Sequence, residues 1–270
     1  MDVDAIGALL REAAATAVMP RFRALADDEV RTKGVDHTGV RDLVTVADLE
    51  AERLVTDGLA ALAPGVPVVG EEAVAADPSL AEGLDALPAY FVLDPVDGTA
   101  AFVDGRPTFG VMLALVHHRE VAASWILLPV PDRMYVAELG SGAYVDGRRL
   151  LPRPTGDDPA TLRAWLSTRY LPEQWAARVG PGSRAFAAVG EGPGSSASAY
   201  TGIVEGEAEV GLLWRTQPWD HVPGALLLRE TGGASRRFDG TDYRPGDDAA
   251  GLLLTSDAAA WDAVRAQLLD

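Results

Sequence analysis

The stretch Asp94-Pro95-Val96-Asp97-Gly98-Thr99 sets two carboxylates three residues apart on what reads as a single turn. The apolar run 89–93 ahead of it reads as a buried strand, so the polar burst falls at that strand's C-terminal end. Pro95 fixes one backbone angle, and Gly98 lets a ligand approach the main chain closely. Two acids on a rigid turn can share a cation. The N–H groups of Gly98, Thr99 and Ala100 are then free to face an anion, as in a backbone nest. A cation and an anion held side by side point to metal-assisted phosphate chemistry.

Other acids sit at comparable places. Thr45-x-x-Asp48 fits a capping box at the start of a helix. Glu71 and Glu72 follow the short apolar run 66–69, and Asp220 opens a helix after Trp219. Taken singly, Asp48, Glu71 and Asp220 are explained by capping or solvation. The Asp94/Asp97 pair is not, because a strand end has few structural reasons to carry both acids. Strand ends and helix starts are where α/β folds gather ligands. Asp48, Glu71, Asp94, Asp97 and Asp220 would repel one another in one cleft unless cations bound among them. Hard divalent ions suit such oxygen donors, Mg²⁺ above all, because it keeps a few carboxylates together with water and substrate phosphate.

The elements that must position these residues are mixed. Helical spacing covers 3–25 with a kink or stop at Pro20, and 45–63 with Pro64-Gly65 as its end. Residues 27–39 read as a mobile loop. Strands are expected at 66–69, 109–116, 121–128, 133–138, 162–167, 208–213 and 252–255, with a hairpin at Asp146-Gly147. A helix from Trp219 ends at Gly232-Gly233, and Ser256 is expected to cap a terminal helix. The class is α/β or α+β. The proline-rich break at 152–159 suggests a boundary, giving an N-terminal α+β part, 1–152, with most of the acids and a C-terminal α/β part, 153–270, with Asp220 and substrate contacts.

Bulk properties narrow the partners. The chain has 270 residues and a formal net charge of −17, which argues against nucleic acid or an anionic membrane as the main partner. No apolar run reaches membrane-spanning length, and no basic-then-apolar leader opens the chain. The absence of cysteine removes disulfides and thiolate sites. A cytoplasmic protein is the expectation.

The chain resembles the inositol monophosphatase family, within the lithium-sensitive, Mg²⁺-dependent phosphatases. The resemblance rests on Asp42-Leu43-Val44-Thr45-x-x-Asp48, Gly70-Glu71-Glu72, Asp94-Pro95-Val96-Asp97-Gly98-Thr99-x-x-Phe102, Gly194-Ser195-Ser196-Ala197, and Trp219-Asp220 with the trailing Gly232-Gly233. It implies a layered αβαβα sandwich, a homodimer, two to three Mg²⁺ ions, inhibition by Li⁺ and a small phosphorylated metabolite as substrate. It implies that Glu71, Asp94 and the carbonyl of Val96 hold one ion, and that Asp94, Asp97 and Asp220 hold another. Glu71 and Thr99, backed by Asp48, would activate water. Gly98, Thr99, Ala100 and Ser195 would face the phosphate.

Departures from the family pattern bear on the substrate. Ala100-Ala101 stands where side-chain donors are common, and Leu213 stands where inositol-specific members carry an acid. A leucine cannot accept a hydroxyl hydrogen bond, so histidinol phosphate or another small ester is an alternative to inositol phosphate. The acidic balance, with no basic cluster evident near the motifs, disfavours a second phosphate. A non-catalytic regulatory dimer on the same fold is the reading from a different class.

Overall fold

The protein is described by a computed structural model covering residues 2–35, 39, 41–246 and 249–270. The chain begins with α1 (Val3–Ala13), which runs into a wide π turn at Ala14–Val18. There Met19 N–H reaches back to the Ala14 carbonyl at 2.8 Å, and ordinary turns follow at Pro20. A proline N cannot donate, which is why the helical spacing to residue 25 is not realised as one helix. Next come β1 (Val30–Val35), β2 (Arg41–Thr45), α2 (Val46–Leu62), β3 (Val68–Gly70), α3 (Glu71–Ala76), β4 (Ala89–Asp97) and α4 (Thr99–Val103). A meander follows: β5 (Gly110–His117), β6 (Glu120–Leu128), β7 (Arg133–Glu138), β8 (Gly142–Val145) and β9 (Arg148–Arg149). The second half holds β10 (Arg163–Leu166), α5 (Glu173–Gly182), β11 (Ala188–Gly190), α6 (Ser196–Glu205) and β12 (Val210–Leu213). It closes with α7 (Pro218–Glu230), β13 (Ala234–Arg237), β14 (Leu252–Thr255) and α8 (Trp261–Leu269).

Strands β3 to β9 form one seven-stranded sheet in sequence order, and β11-β10-β12-β14-β13 form a five-stranded sheet. Alternation along the strands sorts the core into layers. On β4, Phe91 and Leu93 pack with Ile6 and Leu10 of α1 and Val55 and Leu59 of α2. Tyr90 and Val92 face the other way, against Tyr200 and Ile203 of α6 and Val222 and Leu226 of α7. The far side of α6 and α7 meets Leu252 and Leu254 of β14, while Leu253 turns to α8 beside Val264 and Leu268. The architecture is therefore an αβαβα sandwich with the α6–α7 pair as its central layer.

Three sequence expectations need correction. Much of the stretch read as a loop over 27–39 is β1, paired antiparallel with β2 in the register Thr32↔Leu43 and with a bulge before Gly34; residues 36–38 lie outside the described residues. Its polar composition hid it, because the hairpin presents charged side chains to the site rather than apolar ones to the core. The terminal helix is introduced not by Ser256 but by Asp257, whose carboxylate accepts from Ala259 N–H at 3.0 Å. The sequence reading places no element at 173–182, and these residues form α5.

Candidate active site

The bend in β4 puts its two acids on one face. Residues three apart on a regular strand point to opposite faces. Here Asp94 pairs with Met112 and Asp97 with Gly110, three steps on β4 against two on β5. The extra residue is a bulge, placed where Pro95 has no N–H for the ladder. Asp94 Oδ1 folds back to accept the Val96 N–H at 3.0 Å.

Asp97 is aimed at the start of α6. Its two oxygens accept from Ser196 N–H at 3.1 Å and Ala197 N–H at 2.7 Å, where free backbone donors favour a negative charge. Ser195 is the N-cap of that helix, its hydroxyl accepting from Ser198 N–H at 3.1 Å. The approach is close enough to exclude a side chain at residue 98. Gly98 has φ +86°, and a Cβ there would stand 2.6 Å from Ser195 Cβ.

Asp48 sits behind this turn. The capping box forms as expected, with Asp48 Oδ2 accepting from Thr45 N–H at 2.8 Å and Thr45 Oγ1 at 2.5 Å. Its other oxygen lies 3.2 Å from Thr99 Oγ1, which is also 3.1 Å from the Val96 carbonyl. Asp48 therefore serves both as a cap and as support for Thr99.

Glu71 and Glu72 open α3. Glu52 on α2 anchors that start by accepting from Glu72 N–H at 2.9 Å and Ala73 N–H at 2.8 Å. Lys33 of β1 reaches Glu71 Oε1 at 2.6 Å and Glu72 Oε1 at 2.8 Å. It is the one lysine in the chain. Sequence reasoning missed both Lys33 and Glu52, since a lysine in a polar stretch and a glutamate inside a helix carry no local signal.

Asp220 arrives from the first turn of α7, which Pro218 starts. Oxygens of Asp94, Asp97 and Asp220 lie within 4.8 Å of one another. His221 turns away into the core, with Nε2 2.7 Å from the Arg215 carbonyl and Nδ1 3.4 Å from the Tyr200 hydroxyl. Burial pushes its pKa down to about 4, so the ring is neutral.

The electrostatics show what the cluster lacks. Burial, then Glu71, Asp97 and Asp220, hold the Asp94 carboxyl well above the ordinary range. Burial, then Asp97 and Glu71, do the same to Asp220. Asp97 and Asp48 are each pushed up to about 6, chiefly by burial and against their hydrogen bonds. Burial first and mutual repulsion second favour the protonated form of these acids, and a bound multivalent cation would favour the ionised form. Buried oxygen donors in mutual repulsion fit a hard divalent ion, so the residues present suit the metal that the sequence implied.

A cleft of about 550 Å³ opens over the cluster. It is lined by Glu71, Asp94, Val96, Asp97, Gly98, Thr99, Ala100, Ser195 and Asp220, while Asp48, Glu72 and Pro95 are not part of its lining. Leu213 lines it too, as expected for an apolar replacement. The same cleft holds a surprise for a chain read as having no basic cluster nearby, because Arg106, Arg169 and Arg215 also line it.

A layered αβαβα sandwich with buried acids converging at strand ends and helix starts defines a metal-dependent phosphatase. The sequence profile of the inositol monophosphatase family matches residues 2–269, and the chain belongs to that family of phosphomonoester hydrolases. An inositol-1-monophosphatase of Mesorhizobium japonicum is 31% identical over 242 residues, covering 83% of this chain and 84% of its own. A fructose-1,6-bisphosphatase/inositol-1-monophosphatase of Thermotoga maritima is 29% identical over 205 residues, 76% of this chain and 75% of its own. The crystal structure of the extragenic suppressor protein SuhB from Bartonella henselae shares the fold, with a TM-score of 0.80, 21% identity, and coverage of 98% of this chain and 97% of that one.

Proposed function

We propose that the protein hydrolyses a small phosphorylated metabolite by direct attack of water, with Mg²⁺ as its metal. The observation that carries this reading is the convergence of Asp94, Asp97 and Asp220 oxygens within 4.8 Å beside the Gly98 turn. Glu71, Asp94 and the Val96 carbonyl would hold one ion, and Asp94, Asp97 and Asp220 another. Metal bound there supplies a water of lowered pKa and offsets charge on the leaving oxygen.

The chain's own residues do the rest. Glu71 and Thr99 orient the attacking water and accept its proton, with Asp48 fixing the Thr99 hydroxyl from behind. The main-chain N–H groups of Gly98, Thr99 and Ala100 and the Ser195 side of the cleft receive the phosphate. Gly98 makes that approach possible, because any side chain there would collide with Ser195. Lys33 neutralises Glu71 and Glu72 while metal is absent and must release Glu71 when it binds. The parts 1–152 and 153–270 divide the work, the first holding most of the acids and the second bringing Asp220 and substrate contacts. We place the enzyme in the cytoplasm as a homodimer. Among the described residues no helix is long and apolar enough to cross a membrane.

The test is phosphate release from a panel of small phosphomonoesters at increasing Mg²⁺, with Asp220→Asn alongside. Turnover that rises with Mg²⁺ and is lost in the variant, at unchanged circular dichroism, supports the reading. Metal-independent turnover, or none from any ester, overturns it.

A further inference from the structure

The connection between β12 and α7 has both of its ends at the cleft. Leu213, Trp214 and Arg215 line the cleft together with Asp220, so their placement relative to that acid shapes what a substrate meets. The helix start gives the connection little help, because Gln217 stands at the N-cap of α7 without a side-chain cap bond. His221, one residue past Asp220, reaches back over the first turn instead, and its Nε2 lies 2.7 Å from the Arg215 carbonyl. We propose that His221 is a positioning residue, whose bond to the Arg215 carbonyl holds the cleft segment 213–215 in one place relative to Asp220. The proposal rests on the hydrolase reading above for its kinetic consequence and adds a residue that sets how the substrate is received.

Four observations support it. The first is the direction of the bond. A carbonyl can only accept, so Nε2 carries the proton and Nδ1 is left as the acceptor. The Tyr200 hydroxyl faces Nδ1 at 3.4 Å, which fits that tautomer. The second is rigidity. His221 is buried, with its ring centre 6.0 Å from that of Tyr200 and 6.3 Å from that of Tyr243. Tyr200 is itself pinned between α6 and α7, because a Cβ at residue 224 would collide with its ring. The third is residue type. An aliphatic side chain would fill this buried space with no polar group to satisfy, so what the imidazole adds is the tie to residue 215. The fourth is how the connection is held elsewhere. The Trp214 carbonyl accepts from Gly251 N–H at 3.0 Å, and the Thr216 hydroxyl donates to the Ala249 carbonyl at 2.8 Å. Those bonds fasten the connection to the stretch before β14, whereas the His221 bond fastens it to the helix that carries Asp220.

The experiment compares His221→Leu, which keeps much of the bulk and removes both bonds, with His221→Gln, whose amide N–H extends to the place of Nε2 and keeps the donor. Phosphate release from inositol 1-phosphate, histidinol phosphate and glucose 1-phosphate is measured at saturating Mg²⁺, and amide hydrogen exchange is read by mass spectrometry. In His221→Leu, KM for the hydrolysed esters should rise about tenfold, the worth of one hydrogen bond, while kcat stays within about threefold. Peptides over 213–217 should exchange about tenfold faster, and peptides over β4 at the wild-type rate. His221→Gln should bring both readouts back to within about threefold of wild type. Unchanged KM and exchange in His221→Leu, faster exchange over the whole chain, or a His221→Gln enzyme as impaired as His221→Leu overturns the proposal. If His221→Leu does not fold, His221→Met, apolar and flexible, takes its place, and failure of both to fold assigns His221 to stability alone and overturns the proposal too. If the wild type releases phosphate from no ester, the hydrolase reading has failed, and exchange alone judges His221. Acceleration confined to 213–217 and reversed in His221→Gln sustains the positioning role, and any other pattern overturns it.

Discussion

The cleft is lined by the acids Asp94, Asp97, Asp220 and Glu71 and, on the segments that follow β10 and β12, by the arginines Arg169 and Arg215. The acids are fixed by secondary structure: a bulge turns Asp97 onto the face of Asp94, the start of α6 receives Asp97, and α7 delivers Asp220. Arg169 and Arg215 sit on connecting segments, their guanidinium groups 5.8 Å and 4.1 Å from the centre of the Tyr170 ring. Reaction chemistry needs tight placement and takes the ends of strands and helices. Substrate choice tolerates looser placement and takes loops, where residues change without disturbing the core.

The contrast can be broken most sharply among the acids. Asp97→Asn removes a carboxylate shared between the acid cluster and the α6 start. Turnover should fall by more than about a hundredfold, beyond the range typical of outer-shell metal partners, and phosphate release at saturating Mg²⁺ reads it directly. Gly98→Ala comes next. The new Cβ meets Ser195 at 2.6 Å in a left-handed conformation. A stability loss of about 1–2 kcal/mol is expected by thermal unfolding, with a larger proportional loss of kcat. A Gly98→Ala enzyme with normal kcat would show that the close approach is not functional.

Lys33→Gln tests the counter-ion. The ammonium is largely buried against Glu71 and Glu72, and under the proposed ligand set it would compete with metal for Glu71. The variant should be less stable without metal and should reach half-maximal Mg²⁺ activation at roughly threefold lower concentration, a change of under 1 kcal/mol. Weaker activation by Mg²⁺ would mean that Lys33 helps to hold the site together in the active state.

The smallest effect is the pH dependence of metal-free stability. Asp97 and Asp48 sit at about 6 in the fold against an ordinary 3.8, mainly through burial. Raised carboxyl values mean that the folded chain binds more protons than the unfolded one across that interval. Their contribution is complete below the ordinary value and is lost as pH rises through about 6. With chelator present, the melting temperature should therefore drop between about pH 5 and pH 7, and saturating Mg²⁺ should flatten the drop. A chelated protein that gains stability over this range would contradict the burial of uncompensated acids.

The acids and the arginines also differ in how readable they were. The Asp94–Thr99 turn announces itself because two acids, a proline and a glycine fall within one short segment. Asp48 could be placed because its capping box marks a helix start, Asp220 lies in the first turn of α7 without capping it, and the apolar runs over 109–138 gave most of the meander β5–β9 that flanks β4. Arg169 and Arg215 left no such mark. They lie more than forty positions apart, Arg169 in a polar stretch and Arg215 after the apolar run Leu212-Leu213-Trp214, and the pairing of β10 with β12 brings them to one ring. Lys33 was hidden for a related reason, since β1 has its polar side chains at the site and nothing apolar enough to announce a strand. The bulge at Pro95-Val96, which turns two acids onto one face, is a matter of register with β5 and is not visible along a single segment.

The central claim is that the carboxylates of Asp94, Asp97 and Asp220, with Glu71 beside them, converge to hold divalent metal. The most direct measurement is diffraction from crystals equilibrated with Mn²⁺, recorded for its anomalous signal. The account predicts the strongest peaks among these four side chains, with Lys33 withdrawn from Glu71. An empty acid cluster at saturating Mn²⁺, with the Lys33–Glu71 pair intact, would contradict it.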